Sequence, residues 1–324
     1  MVWLHIGKPI TMFELNDIIT TKNWQSLCDH IYDAPNLDNV PEGGSCWCAC
    51  DQIHEFFKRI DGTGRSYILV SSHSDYGLAL QVEYPIINDV ITTARKIVRG
   101  TKPEVGYRPI TIQPSCNLTR CHPSHKYSVR CYSYTNATLP RIPDEVKHWF
   151  LVNNMVKDEP RITNIPFGVP EDRVEKFANL PKRDKKGLLY VNFGDYTFER
   201  IELKNFYREQ SWVTFKENIS FDEYLDDIST HHFTLCPNGN GVDCYKTLEV
   251  IYAGGIPLVE RSVTTEGLKL PFIIAYNMFG IFMKDHLREL VKSDNEIINT
   301  IGEYNYCKLS FWQEIIRKTK EAIC

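Results

Sequence analysis

The sequence has 324 residues, of which 43% are hydrophobic and 24% are charged, and its formal net charge is −4. This composition is typical of a globular protein large enough for two domains. It excludes a polycationic chain of the kind that binds nucleic acid through its overall charge. The sequence shows no secretory signal and no apolar run approaching the roughly 20 residues that span a membrane. We therefore expect a cytoplasmic protein, in the host cytoplasm if the source is viral, without a membrane span.

The first half of the chain alternates predicted helices and strands. Apolar residues recur at helical spacing over residues 13–31 and again over residues 50–60. Short apolar runs that are typical of buried strands follow at residues 66–70, 149–152 and 162–166.

Polar residues follow these predicted strands, at the ends where ligands bind in open α/β sheets. His73 and Asp75 come after the first strand, Asn153 after the second and Gly168 after the third. A histidine and a carboxylate two residues apart can serve as a general base and its orienting group. We therefore take Asp75, with His73 as the alternate, as the candidate base. A polar loop in which Asp75 only caps a turn is the competing interpretation. For Gly168 we expect a role in backbone geometry.

A charged segment at residues 181–186 separates the two halves, and we place the domain boundary there. The predicted domains are residues 1–180 and 187–307, and a final helix over 308–324 would pack back on the first domain. Arg200 lies on the first helix of the second domain, where it is either a cation for a ligand or a surface arginine paired with Glu199 or Glu202. The second domain also has predicted strands at residues 187–193, 212–215, 233–236, 256–259 and 272–275. Ser220, followed three residues later by Glu223, predicts a capping box at the start of a helix. This order predicts an α/β fold of two Rossmann-like, doubly wound domains that face each other across a cleft.

The most informative stretch is FTLCPNGNGVDCYKTLEVIYAGGIPLVE at residues 233–260. A buried strand breaks at Pro237 into a loop with Asn238, Gly239 and Gly241, and the two glycines there predict positive φ and a close approach of a ligand. Asp243 stands where a helix N-cap would be. A strand, a glycine-rich loop and a helix N-terminus together suit a diphosphate.

In this stretch the chain resembles the exostosin-like glycosyltransferases, a family with the two-Rossmann GT-B architecture. Lys246 departs from the family pattern, which usually has arginine there; lysine keeps the charge but loses the bidentate fork. The resemblance is strongest over residues 187–260. The positions in register with the family signature are Pro237, Gly239, Gly241, Asp243, Glu249, Gly254 or Gly255, Ile256, Pro257 and Val259.

The resemblance implies a metal-independent transferase that needs no cofactor and uses a UDP- or GDP-linked sugar as co-substrate. Glu249 would accept hydrogen bonds from the ribose hydroxyls, and Glu260 would lie where the next loop touches donor or acceptor. Asn153 and Gly168 would lie toward the acceptor or the cleft. The residues implied at the donor site are Asn238, Gly239, Gly241, Asp243, Lys246, Thr247, Glu249 and Arg200.

Three functions agree with these observations. The first is transfer of a sugar to a hydroxyl of a glycan, a lipid or a protein, by a bacterial or viral enzyme. The second is the same chemistry on a hydroxymethylated pyrimidine of viral DNA, which the net negative charge disfavours. The third is a GT-B-like module that binds a sugar or nucleotide without turnover.

Eleven cysteines raise the question of a metal site. One cluster contains Cys46, Cys48 and Cys50, and a second contains Cys116, Cys121, His122, His125 and Cys131. Because no C-x-x-C pair is present and the spacing is irregular, the sequence favours free thiols over a structural zinc site.

Overall fold

The structure is a computed structural model. It describes residues 13–32, 43–72, 141–154, 156, 158–195, 198–239, 241–275, 278–279, 283–292 and 303–323.

The first half contains a five-stranded parallel sheet in which the strands follow chain order, β1-β2-β3-β4-β5. Its central strands are buried on both faces, which explains why they are apolar runs and not alternating patterns. The strands are β1 (His30–Ile31), β2 (Gly44–Trp47), β3 (Tyr67–Ser71), β4 (Val146–Leu151) and β5 (Ile162–Asn164). Helix α1 (Ile53–Ile60) follows a 3-10 turn and joins β2 to β3, and the short helix α2 (Val174–Ala178) follows β5.

The helix predicted over residues 13–31 is wrong. This stretch contains two short 3-10 helices, Leu15–Asp17 and Asn23–Leu27, with extended backbone between them. Ile18 and Thr20 form β-bridges to Lys308 and Val169, and these contacts with distant segments use the backbone groups that a helix would need. Tertiary pairing therefore overrides the helical periodicity here.

The second half contains another five-stranded parallel sheet, with strand order β10-β9-β8-β6-β7. The order reverses between β6 and β8, since the chain runs from β6 to one edge and from β8 to the other. The strands are β6 (Gly187–Val191), β7 (Val213–Phe215), β8 (His231–Cys236), β9 (Ile256–Glu260) and β10 (Ile273–Ala275). The helices are α3 (Phe198–Arg208), α4 (Phe221–Thr230), α5 (Tyr245–Tyr252), α6 (Val263–Gly267) and α7 (Met283–Lys292).

Helices cover both faces of this second sheet. Leu203 and Tyr207 of α3 belong to one hydrophobic cluster together with Leu287 of α7. Leu225 of α4 and Leu248 of α5 belong to the other cluster, which also includes the core of the first half. The two parallel sheets are thus compatible with Rossmann-like folds. The α4 helix begins with the capping box predicted from Ser220 and Glu223, each binding the other's backbone.

The last helix, α8 (Leu309–Ile323), packs against the first half of the chain. The Trp312 ring meets the Trp24 ring edge to face, with centroids 5.8 Å apart, and lies 6.5 Å from the ring of Phe150 on β4. The Ser310 amide donates to the Asp17 carboxylate at 3.1 Å. Within the described ranges, we find no helix whose length and hydrophobicity would let it cross a membrane.

Candidate functional site

The strand order of the second sheet reverses between β6 and β8, and we call the region at the carboxyl ends of these two strands the crevice. In open α/β sheets this switch point is where ligands bind, because the connections leave the two strands in opposite directions. Residues 192–195 follow β6, and the glycine loop, residues 237–243, follows β8. The loop predicted from sequence therefore lies at the position in the second sheet best suited to a ligand.

Gly239 lies against an arginine side chain. A Cβ atom at this position would come 2.7 Å from Nη2 of Arg200, which is closer than real Cβ atoms approach. Gly239 does not have the positive φ expected for it. A larger residue at this position would therefore have to displace the guanidinium of Arg200.

Arg200 is buried, and it holds both loops of the crevice. Its Nε donates to the Asn238 carbonyl at 2.8 Å and its Nη2 to the Pro237 carbonyl at 2.8 Å, while Nη1 lies 3.4 Å from the Gly194 carbonyl. The interpretation of Arg200 as a surface arginine is therefore wrong. These charge-assisted bonds fix the shape of the glycine loop and place a positive charge beneath it.

Asp243 does not cap helix α5, as its position in the sequence predicted. The helix begins at Tyr245, and Cys244 is its N-cap without a side-chain cap bond. Oδ2 of Asp243 instead accepts a hydrogen bond from the Phe167 amide at 2.8 Å. Burial raises the pKa of this carboxyl to about 6, against the lowering effect of the Phe167 and Cys244 amides and the Thr247 hydroxyl.

Asn153 and Asp243 join the first half to the glycine loop. The Asp243 amide donates to Oδ1 of Asn153 at 2.7 Å, and Nδ2 of Asn153 lies 3.2 Å from the Asp243 carbonyl. Asn153 has a φ of 51°, in the left-handed region that asparagine tolerates. This paired contact makes Asn153 part of the support for the loop.

Lys246 points its ammonium group at an aromatic ring. Its Nζ lies 4.2 Å from the centroid of the Tyr224 ring, an arrangement that cation–π attraction stabilises. Removal from water lowers the pKa of this lysine, in part against the attraction of Glu249. The side chain of Thr247 is buried one residue further along the helix.

Glu249 is buried and forms an ion pair with Arg173, from the 3-10 turn that precedes α2. The Arg173 guanidinium also lies over the Phe221 ring, 4.4 Å from its centroid. The carboxylate predicted to receive ribose hydroxyls thus has a cationic partner from the first half of the chain. No local pattern singles out Arg173, since its partner lies 76 positions away.

The two remaining cleft candidates have clear structural contacts. Nδ2 of Asn238 donates to Oε2 of Glu260 at 2.8 Å, which ties the glycine loop to the end of the neighbouring strand β9. Gly168 has a φ of 96°, and a Cβ atom there would lie 2.5 Å from the Thr20 carbonyl carbon. Gly168 thus meets a requirement of backbone geometry, as the sequence predicted.

Both candidates for the general base, Asp75 and His73, lie outside the described residues. The described part of this segment ends at Ser72, whose hydroxyl accepts a hydrogen bond from Trp47 Nε1 at 2.9 Å. The carboxyl end of β3 lies beside that of β4, the strand that Asn153 follows.

The thiols of Cys46, Cys48 and Cys50 are buried, and burial raises the pKa of Cys46 to about 12. Cys46 and Cys48 each lie near a backbone carbonyl of the following residue. In the part of the chain that the structure describes, no group of histidine, cysteine and carboxylate residues could hold a metal ion. The second cluster, Cys116, Cys121, His122, His125 and Cys131, lies outside that part.

Comparison with known protein families gives a match in the second half of the chain. The family of the RXYLT1 C-terminal domain matches residues 200–294, which include Arg200, the glycine loop and strands β7 to β10. RXYLT1 is a xylosyltransferase-related family, so the match links the second half of this chain to glycosyltransferases. A search of curated proteins found no match.

Proposed function

We propose that this protein is a glycosyltransferase that takes its sugar from a nucleotide-sugar donor bound at the crevice between β6 and β8. The observation that carries the proposal is the glycine loop at the switch point of the second sheet, within the segment matched by the RXYLT1 C-terminal domain. A loop of this kind, leading into a helix N-terminus, suits the diphosphate of such a donor.

Glycosyl transfer develops negative charge on the departing diphosphate, so the site needs fixed positive charge nearby. Three sources are close to the loop: the N-terminal dipole of α5, the buried guanidinium of Arg200, and Lys246 in the first turn of α5. In this proposal Arg200 acts through the loop that it holds, while Lys246 leaves the Tyr224 ring to meet a phosphate oxygen. Lysine acts there as a point charge, without the fork of an arginine.

Glu249 is the proposed acceptor for the two ribose hydroxyls of a UDP- or GDP-linked sugar. Its ion pair with Arg173 holds the carboxylate in place before the nucleotide binds. The ribose hydroxyls would then either share the Glu249 carboxylate with Arg173 or displace Arg173 from it. Asn238, Gly239, Gly241, Asp243 and Thr247 would form the floor of the donor site, and Glu260 would hold Asn238.

On the acceptor side, Asp75 is the proposed general base, with His73 as the alternate. The base removes the proton of an acceptor hydroxyl, and the hydroxyl oxygen attacks the anomeric carbon. The bond from that carbon to the diphosphate breaks, and the nucleoside diphosphate leaves with the electron pair. The acceptor is a hydroxyl of a glycan, a lipid or a protein, and the proposed mechanism needs no metal for the phosphates.

The test is thermal stability of the protein with a panel of nucleoside diphosphates and their sugars. A ligand at one hundred times its dissociation constant stabilises the folded state by about 2.7 kcal/mol. We expect one nucleotide to stabilise the wild type and Asp75→Asn, but much less so Glu249→Gln. Glu314→Gln, which removes an exposed carboxylate of α8, is the matched control and should respond as the wild type does.

Transfer or hydrolysis of the sugar then separates an enzyme from a binding module. Turnover by the wild type and its loss in Asp75→Asn would support the transferase. Nucleotide binding without turnover with any acceptor would favour the module without catalysis. If no nucleotide stabilises the wild type, the donor site is wrong and the proposal fails.

A further inference from the structure

A cavity of about 620 Å³ lies outside the glycine-loop crevice. Its walls come from three parts of the chain: the segment that joins β4 to β5, helix α6 after β9, and the C-terminal region that contains α8. This volume lies within the range of about 300–1,000 Å³ that is usual for sites of small organic ligands.

One wall of the cavity is aromatic. The rings of Tyr306 and Phe311 have centroids 4.6 Å apart, and Trp312 lies 5.5 Å from Tyr306. Trp312 Nε1 donates to the Tyr306 carbonyl at 2.9 Å, which fixes the wall to the start of α8. Tyr306 and Phe311 are half-buried, so part of their surface remains accessible.

The other walls carry charged and polar groups, among them the carboxylates of Asp158, Glu159 and Glu266. Glu159 pairs with Arg161, and Glu266 pairs with Arg261, so these two carboxylates are held in place. Because these arginines balance two of the carboxylates and Lys269 balances Asp158, the lining has no excess positive charge that would favour a phosphate or another anion.

Lys269 is the cation of the lining, and its ammonium lies 5.5 Å from the centroid of the Tyr306 ring. The ring position that attracts a cation is therefore already taken by the protein itself. This arrangement disfavours an organic cation as the occupant, although aromatic rings and carboxylates alone would suit one.

We propose that this cavity binds a neutral saccharide. The apolar C–H face of a sugar ring would pack on the Phe311 ring, and its hydroxyl groups would donate to the carboxylates of Asp158, Glu159 and Glu266. This site lies apart from the proposed donor site and goes beyond the proposed function, because it requires neither a nucleotide nor turnover.

The cavity is nevertheless close to the glycine loop along the chain. Asn154 lines it, and the preceding residue, Asn153, binds Asp243 of the loop. The Thr264 hydroxyl of α6 donates to the Asn154 carbonyl at 2.7 Å. A saccharide bound here would therefore lie next to the hydrogen bonds that join the two halves of the chain.

The experiment is a titration of the full chain with neutral disaccharides (maltose, lactose, cellobiose and xylobiose), with tetramethylammonium chloride and with inorganic phosphate. Binding is followed by saturation-transfer NMR and by intrinsic tryptophan fluorescence. We expect at least one disaccharide to bind and Phe311→Ala to weaken it at least tenfold. Phe206→Ala, a half-buried phenylalanine of α3 in the other hydrophobic cluster, is the matched control and should leave the affinity unchanged.

Asp158→Gly gives a second variant that does not depend on core packing. Asp158 is exposed and has a φ of 63°, which glycine adopts without strain, so removal of its side chain should preserve the fold. We expect it to weaken disaccharide binding at least threefold. The proposal is overturned if no disaccharide binds, if only the ammonium or phosphate probe binds, or if both cavity variants bind as the wild type does.

Discussion

At the scale of single residues, Asp243 has an unusual environment for a carboxylate. Its side chain is buried at the junction of the glycine loop, residues 152–154 and residues 165–170, with a hydrogen bond from the Phe167 amide. The cost of burying a charge exceeds the benefit of that bond, so the pKa of the folded state is raised from 3.8 to about 6. This difference couples the protonation of one residue to the stability of the fold.

We expect this carboxyl to make the folded state less stable as the pH rises from about 4 to about 6. The folded state binds the proton more tightly, so protonation stabilises it below the unfolded pKa, and that contribution is lost as the pH passes the folded pKa. A shift from 3.8 to about 6 corresponds to about 3 kcal/mol. Unfolding in guanidinium chloride at pH 4 and pH 7 measures it, by comparison of the wild type with Asp243→Asn.

Other groups titrate over the same range, so the informative quantity is the difference between the two proteins. Asp243→Asn should gain about 2 kcal/mol relative to the wild type between pH 4 and pH 7, less than the full shift because pH 4 lies just above the unfolded pKa of 3.8. Asp144→Asn, at an exposed position, controls for the loss of one negative charge. An equal pH dependence in wild type and Asp243→Asn would contradict the assignment.

At the scale of elements, the contact between residues 19–21 and 167–169 shows how one glycine allows two segments to meet. The Val169 amide donates to the Ile19 carbonyl at 2.9 Å, and the Thr21 amide to the Val169 carbonyl at 3.2 Å. Gly168 directly precedes Val169, has a positive φ of 96°, and lies so close to the Thr20 backbone that a Cβ atom would clash with it. This contact holds the N-terminal segment against the loop that follows β5.

Gly168→Ala should therefore destabilise the protein by more than about 3 kcal/mol, from backbone strain and from the clash with Thr20. Gly64→Ala is the matched control, because Gly64 has a φ of +70° but no other atom within 4 Å of the place that a Cβ atom would occupy. It should cost about 1 kcal/mol, from strain alone. Urea unfolding of both variants checks this, and equal losses would show that the Thr20 contact is unimportant.

The elements predicted from the sequence match the structure better in the second half of the chain than in the N-terminal segment. Strands at residues 233–236 and 256–259 and the Ser220 capping box are confirmed, because short apolar runs and local side-chain contacts determine them. The helix over residues 13–31 is wrong, because the backbone of this segment pairs with Lys308 and Val169 and not with itself. Helical periodicity therefore does not determine the structure of a segment whose backbone pairs with distant segments.

At the scale of the whole molecule, Tyr252 at the end of α5 connects three distant parts of the chain. Its hydroxyl accepts a hydrogen bond from the Ile19 amide at 2.9 Å and donates to the Cys307 carbonyl at 2.9 Å. Its ring meets the Phe13 ring edge to face, with centroids 4.7 Å apart. The N-terminal segment, the glycine-loop helix and the C-terminal region thus share one buried hydroxyl.

Tyr252→Phe should lower the free energy of unfolding by about 2–4 kcal/mol. The substitution keeps the ring but leaves the Ile19 amide and the Cys307 carbonyl without this partner in a buried site, at about 1–3 kcal/mol each. Tyr245→Phe, at an exposed position on the same helix, should change stability by less than about 0.5 kcal/mol. Unfolding followed by circular dichroism measures both, and equal stabilities would remove the proposed role of the hydroxyl.

Local patterns in the chain were enough to predict the α/β class, strands β3 to β10 and the glycine loop before α5. Apolar runs, a strand-breaking proline and glycines are local features, so one sequence suffices to detect them. The contacts of the loop and of helix α5 follow from the tertiary structure instead. Arg200 donates to the loop carbonyls, Asn153 and Phe167 bind Asp243, and Arg173 forms an ion pair with Glu249. These pairs lie 37 to 90 positions apart, and their geometry depends on how the chain folds back on itself, which local patterns do not encode.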